Sequence, residues 1–111
     1  MTERQVLPMR RRCETFEIDF GGLEKSHVIT VGYYEDGRPG EVFISGGKSG
    51  EQVEAIARDG AVLVSMLLQH GASLDTIRHA ITRDGQDAPQ SIIGVVVDRL
   101  ADDGQRHAVA G

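Results

Sequence analysis

The sequence predicts an α+β fold, a three-stranded antiparallel sheet packed on one long helix with two shorter helices beside it. Three observations carry this expectation. Short β-patterned segments come first, at 15–20, 27–34 and 41–44, and the last two flank an Asp-Gly turn signal. A long apolar stretch with a period near 3.6 follows over 50–70. Two further helical patterns, at 72–81 and 90–103, come after it, so strands precede helices. A chain of 111 residues fits a single domain over 1–111, with an arginine-rich arm at 1–13 and a loose tail at 104–111.

In "TFEIDF", Phe16, Ile18 and Phe20 alternate with Thr15, Glu17 and Asp19, the pattern of a half-buried strand. "HVITVGYY" is rich in strand-favouring Val, Ile, Thr and Tyr; Gly32 inside it marks a bulge or a close backbone approach. Asp36-Gly37 supplies the turn into "EVFI", because glycine tolerates positive φ, and Pro39 and Gly40 are expected to lengthen the loop. Glu35, Asp36, Arg38 and Glu41 are then left as exposed charges without a duty in the fold. Ser49 is the expected N-cap of the long helix, with Gln52 closing a capping box. Val53, Ile56, Ala57, Gly60, Val64, Leu67 and Leu68 recur along it, and its later half is apolar nearly all round, the mark of a central core helix. Gly71 stops it. Ser73 caps the second helix, where Leu74, Ile77 and Ile81 share a face. The third begins near Pro89 and carries Ile93, Val96, Val97 and Leu100.

Composition narrows the function classes. Hydrophobic residues are 40%, charged residues 26%, and the net charge is −5, which argues against a general nucleic-acid binder. The longest apolar run, "AVLVSMLL", is too short to cross a bilayer, and no apolar leader stands at the N-terminus. With a single cysteine, Cys13, the expected location is the cytoplasm. Residues 1–12 hold four arginines against one glutamate, whereas the rest is acidic. Such an arm is either a solvated leader or a contact for an anion or acidic partner, since a guanidinium fork matches phosphate and carboxylate.

The chemistry-bearing residues are scattered. "GKS" at 47–49 fails as a phosphate loop because the motif needs glycine where Val42 stands. An anion site at that helix entry would still use Lys48 and Ser49. The candidate anion- or partner-binding residues are therefore Arg10, Arg11, Arg12, Arg38, Lys48 and Ser49. His27, His70, His79 and His107 have no metal-ligand spacing; His70 and His79 lie near the ends of neighbouring helices, with Asp75 close in sequence. Cys13 follows three arginines, which favours thiolate, but it has no base partner in the pattern. No catalytic residue and no metal site are assigned.

"LPMRRR" (7–12), Thr15 opening a strand, "TVGYYEDGRPGEVFI" (30–44) and a long apolar helix ending in "LLQHG" (67–71) together resemble one family, over about 4–101. The chain is similar to the TSCPD domain, found at the C-terminal end of cobalamin-dependent (class II) ribonucleotide reductases and as small free-standing proteins. The family's naming motif and its cysteine-rich reducing tail are both missing here. A reductase needs a radical-forming cysteine, a reducing pair and a large barrel, so no catalytic residue carries over and cobalamin enters only through the family association. The resemblance implies a non-catalytic accessory or interaction module tied to deoxyribonucleotide synthesis, with a reductase subunit or a second copy as partner. The alternative is a small anion- or nucleotide-binding regulator built on the arginine arm and the 46–50 loop.

Overall fold

The computed structural model of the chain describes residues 3–20, 26–46 and 52–110. They form strands β1 (Cys13–Asp19), β2 (Ser26–Tyr33) and β3 (Pro39–Gly46), then helices α1 (Gln52–Gln69), α2 (Leu74–Ala80) and α3 (Ile92–Ala110). The class is α+β, and the sheet is antiparallel in the order β1-β2-β3. Contacts gather into two compact units, Met1–Gly71 and Ala72–Gly111.

In the first unit the period-2 alternation sorts side chains onto two faces. Ile29 and Val31 of β2 pair with Ile44 and Val42 of β3, and all four are buried. Thr15, Thr30 and Phe43 lie across from one another on the other face, with the threonine hydroxyls 3.2 Å apart and Phe43 exposed. Phe16, Ile18 and Phe20 are half-buried while Thr15, Glu17 and Asp19 are exposed, as their alternation requires. The bulge expected at Gly32 is present, and the close approach there is made by the Glu41 side chain and not by another backbone. The ladder shifts register between Gly32 and Tyr33, and a Cβ at Gly32 would lie 2.7 Å from Glu41 Cγ.

β3 pairs with β2 alone in this sheet, so the backbone groups on its outer side need other partners. α1 supplies them. Val42 N–H donates to Ser65 Oγ at 2.8 Å, and that hydroxyl has Val42 C=O at 3.2 Å and Ala61 C=O at 2.8 Å as acceptors for its own proton. Gln69 Nε2 donates to Gly40 C=O at 2.9 Å. Ala57, Ala61, Val64 and Leu68 form the buried stripe of α1, and the two alanines keep the helix close to the strand. The expected stripe is right at Ala57, Val64 and Leu68 but wrong at Ile56 and Leu67, which are exposed. An all-round apolar helix is here not a central one, because only one side of it meets β3. The side chain of Val53 and the Ser49–Gln52 capping box lie outside what the structure describes. Gly71 ends the helix at φ 94°, a left-handed position that suits glycine.

In the second unit Ser73 Oγ accepts Thr76 N–H at 3.0 Å and starts α2, which packs on α3. Ile77, Ile92, Val96, Val97 and Leu100 are buried. Ser91 accepts Gly94 N–H at 3.1 Å, so α3 begins at Ile92, and Pro89 instead pairs with Arg83 in an isolated bridge. α3 then runs to Ala110 where a loose tail is expected from 104 onward. Gly104 weakens a helix without stopping it, and Gln, Arg and Ala around it are helix formers. At 19 residues α3 is no shorter than the 18 of α1. Arg83 grips Asp98 through both oxygens, at 3.0 and 2.8 Å. Among the described residues, no helix is long and apolar enough to cross a membrane.

Two predictions follow from these contacts. Ser65→Ala strands the outward N–H and C=O of Val42, so unfolding in urea should show a loss of about 1–3 kcal/mol; an unchanged midpoint would mean that water or the backbone replaces the hydroxyl. Asp98 is held below the ordinary carboxylate range, chiefly by its hydrogen bonds from Arg83. A depressed folded-state pKa adds stability that is present above the unfolded value and lost as pH falls through the folded one. The urea midpoint should therefore fall on acidification below about pH 4, and Asp98→Asn should flatten that slope. A slope identical to that of the parent chain would remove Asp98 from the account.

Candidate functional site

The β2–β3 connection runs over residues 34–38, with Glu35, Asp36 and Gly37 at its tip. Tyr34 N–H donates to Arg38 C=O at 2.9 Å, and Gly37 N–H donates to Tyr34 C=O at 3.0 Å. Gly37 sits at φ 92° with no atom near its missing Cβ, so glycine is required there by backbone conformation alone. Pro39 and Gly40 belong to β3 and not to the loop, because the bulge opposite Gly32–Tyr33 absorbs the extra residue. The charges at the tip are also employed. Asp36 accepts from Arg38 N–H at 3.0 Å and from Arg38 Nε at 2.7 Å, and these bonds, the backbone one foremost, hold its carboxyl below the usual range. Arg38 lies over the Tyr34 ring at 4.9 Å and donates to Gln5 Oε1 at 3.1 Å.

The arginine arm is not a solvated leader. Gln5 N–H donates to Gln69 C=O at 2.6 Å, Arg4 Nε donates to Gln69 Oε1 at 2.6 Å, and the Tyr34 hydroxyl donates to Gln5 C=O. Gln69 is buried and joins arm, β3 and α1 through one side chain. A Cβ at Gly40 would lie 2.6 Å from Tyr34 Cε2 and 2.8 Å from Leu7 Cδ2, so the arm approaches the strand where no side chain intervenes. Arg11 forks onto Glu41, and its Nη1 donates to Pro8 C=O at 2.7 Å. Glu41, expected exposed, is 8% exposed. The space left by Gly32 admits it, and the Arg11 fork satisfies it. The Glu41 hydrogen bond outweighs desolvation and raises the Arg11 pKa further, so this cation is permanent. Arg12 continues the ladder beyond β1, its C=O accepting Tyr33 N–H at 3.0 Å, and its guanidinium lies 4.3 Å over the Tyr33 ring. Cys13 is therefore the first residue of β1 and not the last of the arm.

Between arm and hairpin lies a pocket of about 180 Å³, lined on the arm side by Pro8, Arg10, Arg11 and Arg12 and on the hairpin side by Tyr33, Tyr34, Glu35 and Gly37. Three of the candidate residues, Arg10, Arg11 and Arg12, thus come together. Arg38 is spent on Asp36, Tyr34 and Gln5 and does not line the pocket. Lys48 and Ser49 lie outside the described residues. Sequence reasoning pointed to the charged hairpin that carries Glu35 but missed Tyr33 and Tyr34 as pocket residues; the available signal was an "RRR" run and a "YYE" run each adjoining strands that pair.

A second surface stands on the far side of α1, where Ile56, Val62, Leu63, Met66 and Leu67 are all exposed, Leu63 at 62%. His79 Nδ1 lies 2.8 Å from Asp75 C=O within α2, an exposed one-turn pair, while His70 belongs to the first unit. His27 is buried in β2 opposite Gly46. Among the described residues no group of three or more His, Cys, Asp or Glu side chains is arranged to hold a metal ion.

The contrast between neighbouring arginines is testable. Arg11→Ala leaves Glu41 buried without its fork and should lower the melting temperature by several degrees, because breaking a buried pair costs more than the pair contributes. Arg10→Ala should change melting little. Equal melting of the two variants would show that Glu41 does not depend on Arg11.

The TSCPD domain model matches residues 2–103. A vitamin B12-dependent ribonucleotide reductase from Bradyrhizobium diazoefficiens is 39% identical over 82 residues, 74% of this chain and 6% of that protein. Its counterpart from Rhodopirellula baltica is 35% identical over 74 residues, 67% of this chain and 7% of that protein. The one from Agrobacterium fabrum is 38% identical over 80 residues, 72% of this chain and 6% of that protein. This chain therefore spans only 6–7% of the length of these curated relatives. No solved structure matches it. With a family model covering nearly the whole sequence, the chain belongs to the TSCPD domain family.

Proposed function

We propose that this domain is a non-catalytic interaction module of B12-dependent ribonucleotide reduction, docking on a reductase subunit through the outer face of α1. The observation that carries the reading is that face. Five large apolar side chains, Ile56, Val62, Leu63, Met66 and Leu67, stand exposed on consecutive turns of one helix. A contiguous apolar patch of this kind marks a protein–protein surface. The helix owes its hold on β3 to Ala61, Val64, Ser65, Leu68 and Gln69, so the fold does not need the outer residues. The named relatives are reductases, and this domain matches a small part of each. A single cysteine supplies neither a reducing pair nor a separate radical site, which supports a supporting role over a chemical one.

Leu63→Asp tests the reading. Melting should stay within about 0.5 kcal/mol of the parent, since an exposed position is changed. Capture of a purified B12-dependent reductase subunit should be lost. The chain by itself should form no deoxyribonucleotide with adenosylcobalamin and a dithiol. Undiminished capture by Leu63→Asp would overturn the assignment of this face, and a fall in the mass of the chain alone would assign it to a second copy.

A further inference from the structure

We propose that the pocket between the arginine arm and the tyrosine hairpin binds a phosphate group, a site independent of the apolar face of α1. Charge gives the first argument. Arg11 is balanced by Glu41, so it contributes little free charge. Among the described residues the Arg10 side chain has no hydrogen-bond or ion-pair partner, and the Arg12 guanidinium is engaged through its face alone, by the Tyr33 ring. Stacking of that kind leaves the in-plane N–H donors unspent. Two uncompensated cations thus face one carboxylate, Glu35, in a protein whose net charge is −5. The local sign opposes the molecular one.

Preorganisation gives the second. The backbone of Arg12 is fixed by the extended ladder, and Arg11 is fixed by Glu41 and Pro8. With the arm docked, Arg11 and the backbone of Arg12 are already in place, which reduces the ordering cost of binding. Size gives the third. A volume of about 180 Å³ is below the roughly 300–1,000 Å³ of sites that enclose a drug-sized ligand. One phosphate group fits inside, and the remainder of any larger molecule stays in solvent. A phosphate offers oxygens to two forks at once, whereas a carboxylate is satisfied by one.

The test uses the full chain, titrated with inorganic phosphate, a nucleoside triphosphate and acetate at matched ionic strength. It is read by the arginine Nε–H signals in nitrogen–proton correlation spectra. Phosphate should move the Arg10 and Arg12 signals and acetate should not. Arg10→Ala and Arg12→Lys should each weaken phosphate binding about tenfold; the lysine keeps a cation above Tyr33 and removes only the fork. Glu35→Gln should tighten binding, a gain that a purely structural role does not produce. Tighter binding of the triphosphate names nucleotides as the source, and equal affinity names free phosphate. Signals unmoved by phosphate, an equal response to acetate, or unchanged affinity in both arginine variants would overturn the proposal.

Discussion

The first unit is organised by what the outer edge of β3 demands. A strand with one neighbour presents unpaired N–H and C=O groups, and leaving them bare costs free energy and invites association with other edges. Ser65 and Gln69 meet that demand from one helix, four residues apart and so on one face. Their positions dictate which side of α1 is inward, and hence which side is outward. The same glutamine offers its backbone carbonyl and its side-chain oxygen to Gln5 and Arg4. Docking of the arm and exposure of Ile56, Leu63 and Leu67 are thus consequences of one edge being covered.

Glycine and glutamate form a second dependency. Gly32 leaves room for Glu41 on the sheet, and a carboxylate that sits there must be neutralised. Arg11 does so from twenty-one residues upstream of Gly32. The triplet of arginines is therefore divided: the middle one is bonded to Glu41, while among the described residues neither neighbour pairs its guanidinium with a carboxylate. A uniform reading of "RRR", as all leader or all ligand contact, misses this division.

Elements were legible in the sequence where one physical rule governed them. Strand alternation in 15–20, the Asp36-Gly37 turn, the Ser73 cap and the Gly71 stop each follow from local chemistry, and each stands where expected. The failures came where a distant partner decided. Glu41 looks like a surface charge until Arg11 is placed beside it. Ile56 and Leu67 look like core until the helix is seen to lie against a single strand. The tail beyond Gly104 looks like punctuation, although one glycine in a run of helix formers costs only about 1 kcal/mol. Of the candidate site, the arginines and Glu35 were legible from charge, but Tyr33 was not, since the ladder from Arg12 to Tyr33 is what brings the two segments together.

The arm has a dynamic consequence. Val6 and Met9 are 78% and 97% exposed, so the segment contributes little apolar burial and is held largely by polar contacts to Gln69, Tyr34 and Glu41. Segments fastened this way sit at the low end of the local-opening scale, so the arm is expected to open before α1 leaves β3. Half of the pocket wall leaves with it. The cavity is accordingly a state of the protein with its own opening equilibrium, and whatever occupies it is linked by mass action to closure of the arm. Slowed hydrogen exchange at Gln5, whose N–H is bonded to Gln69 at the end of α1, is where occupancy would first be felt.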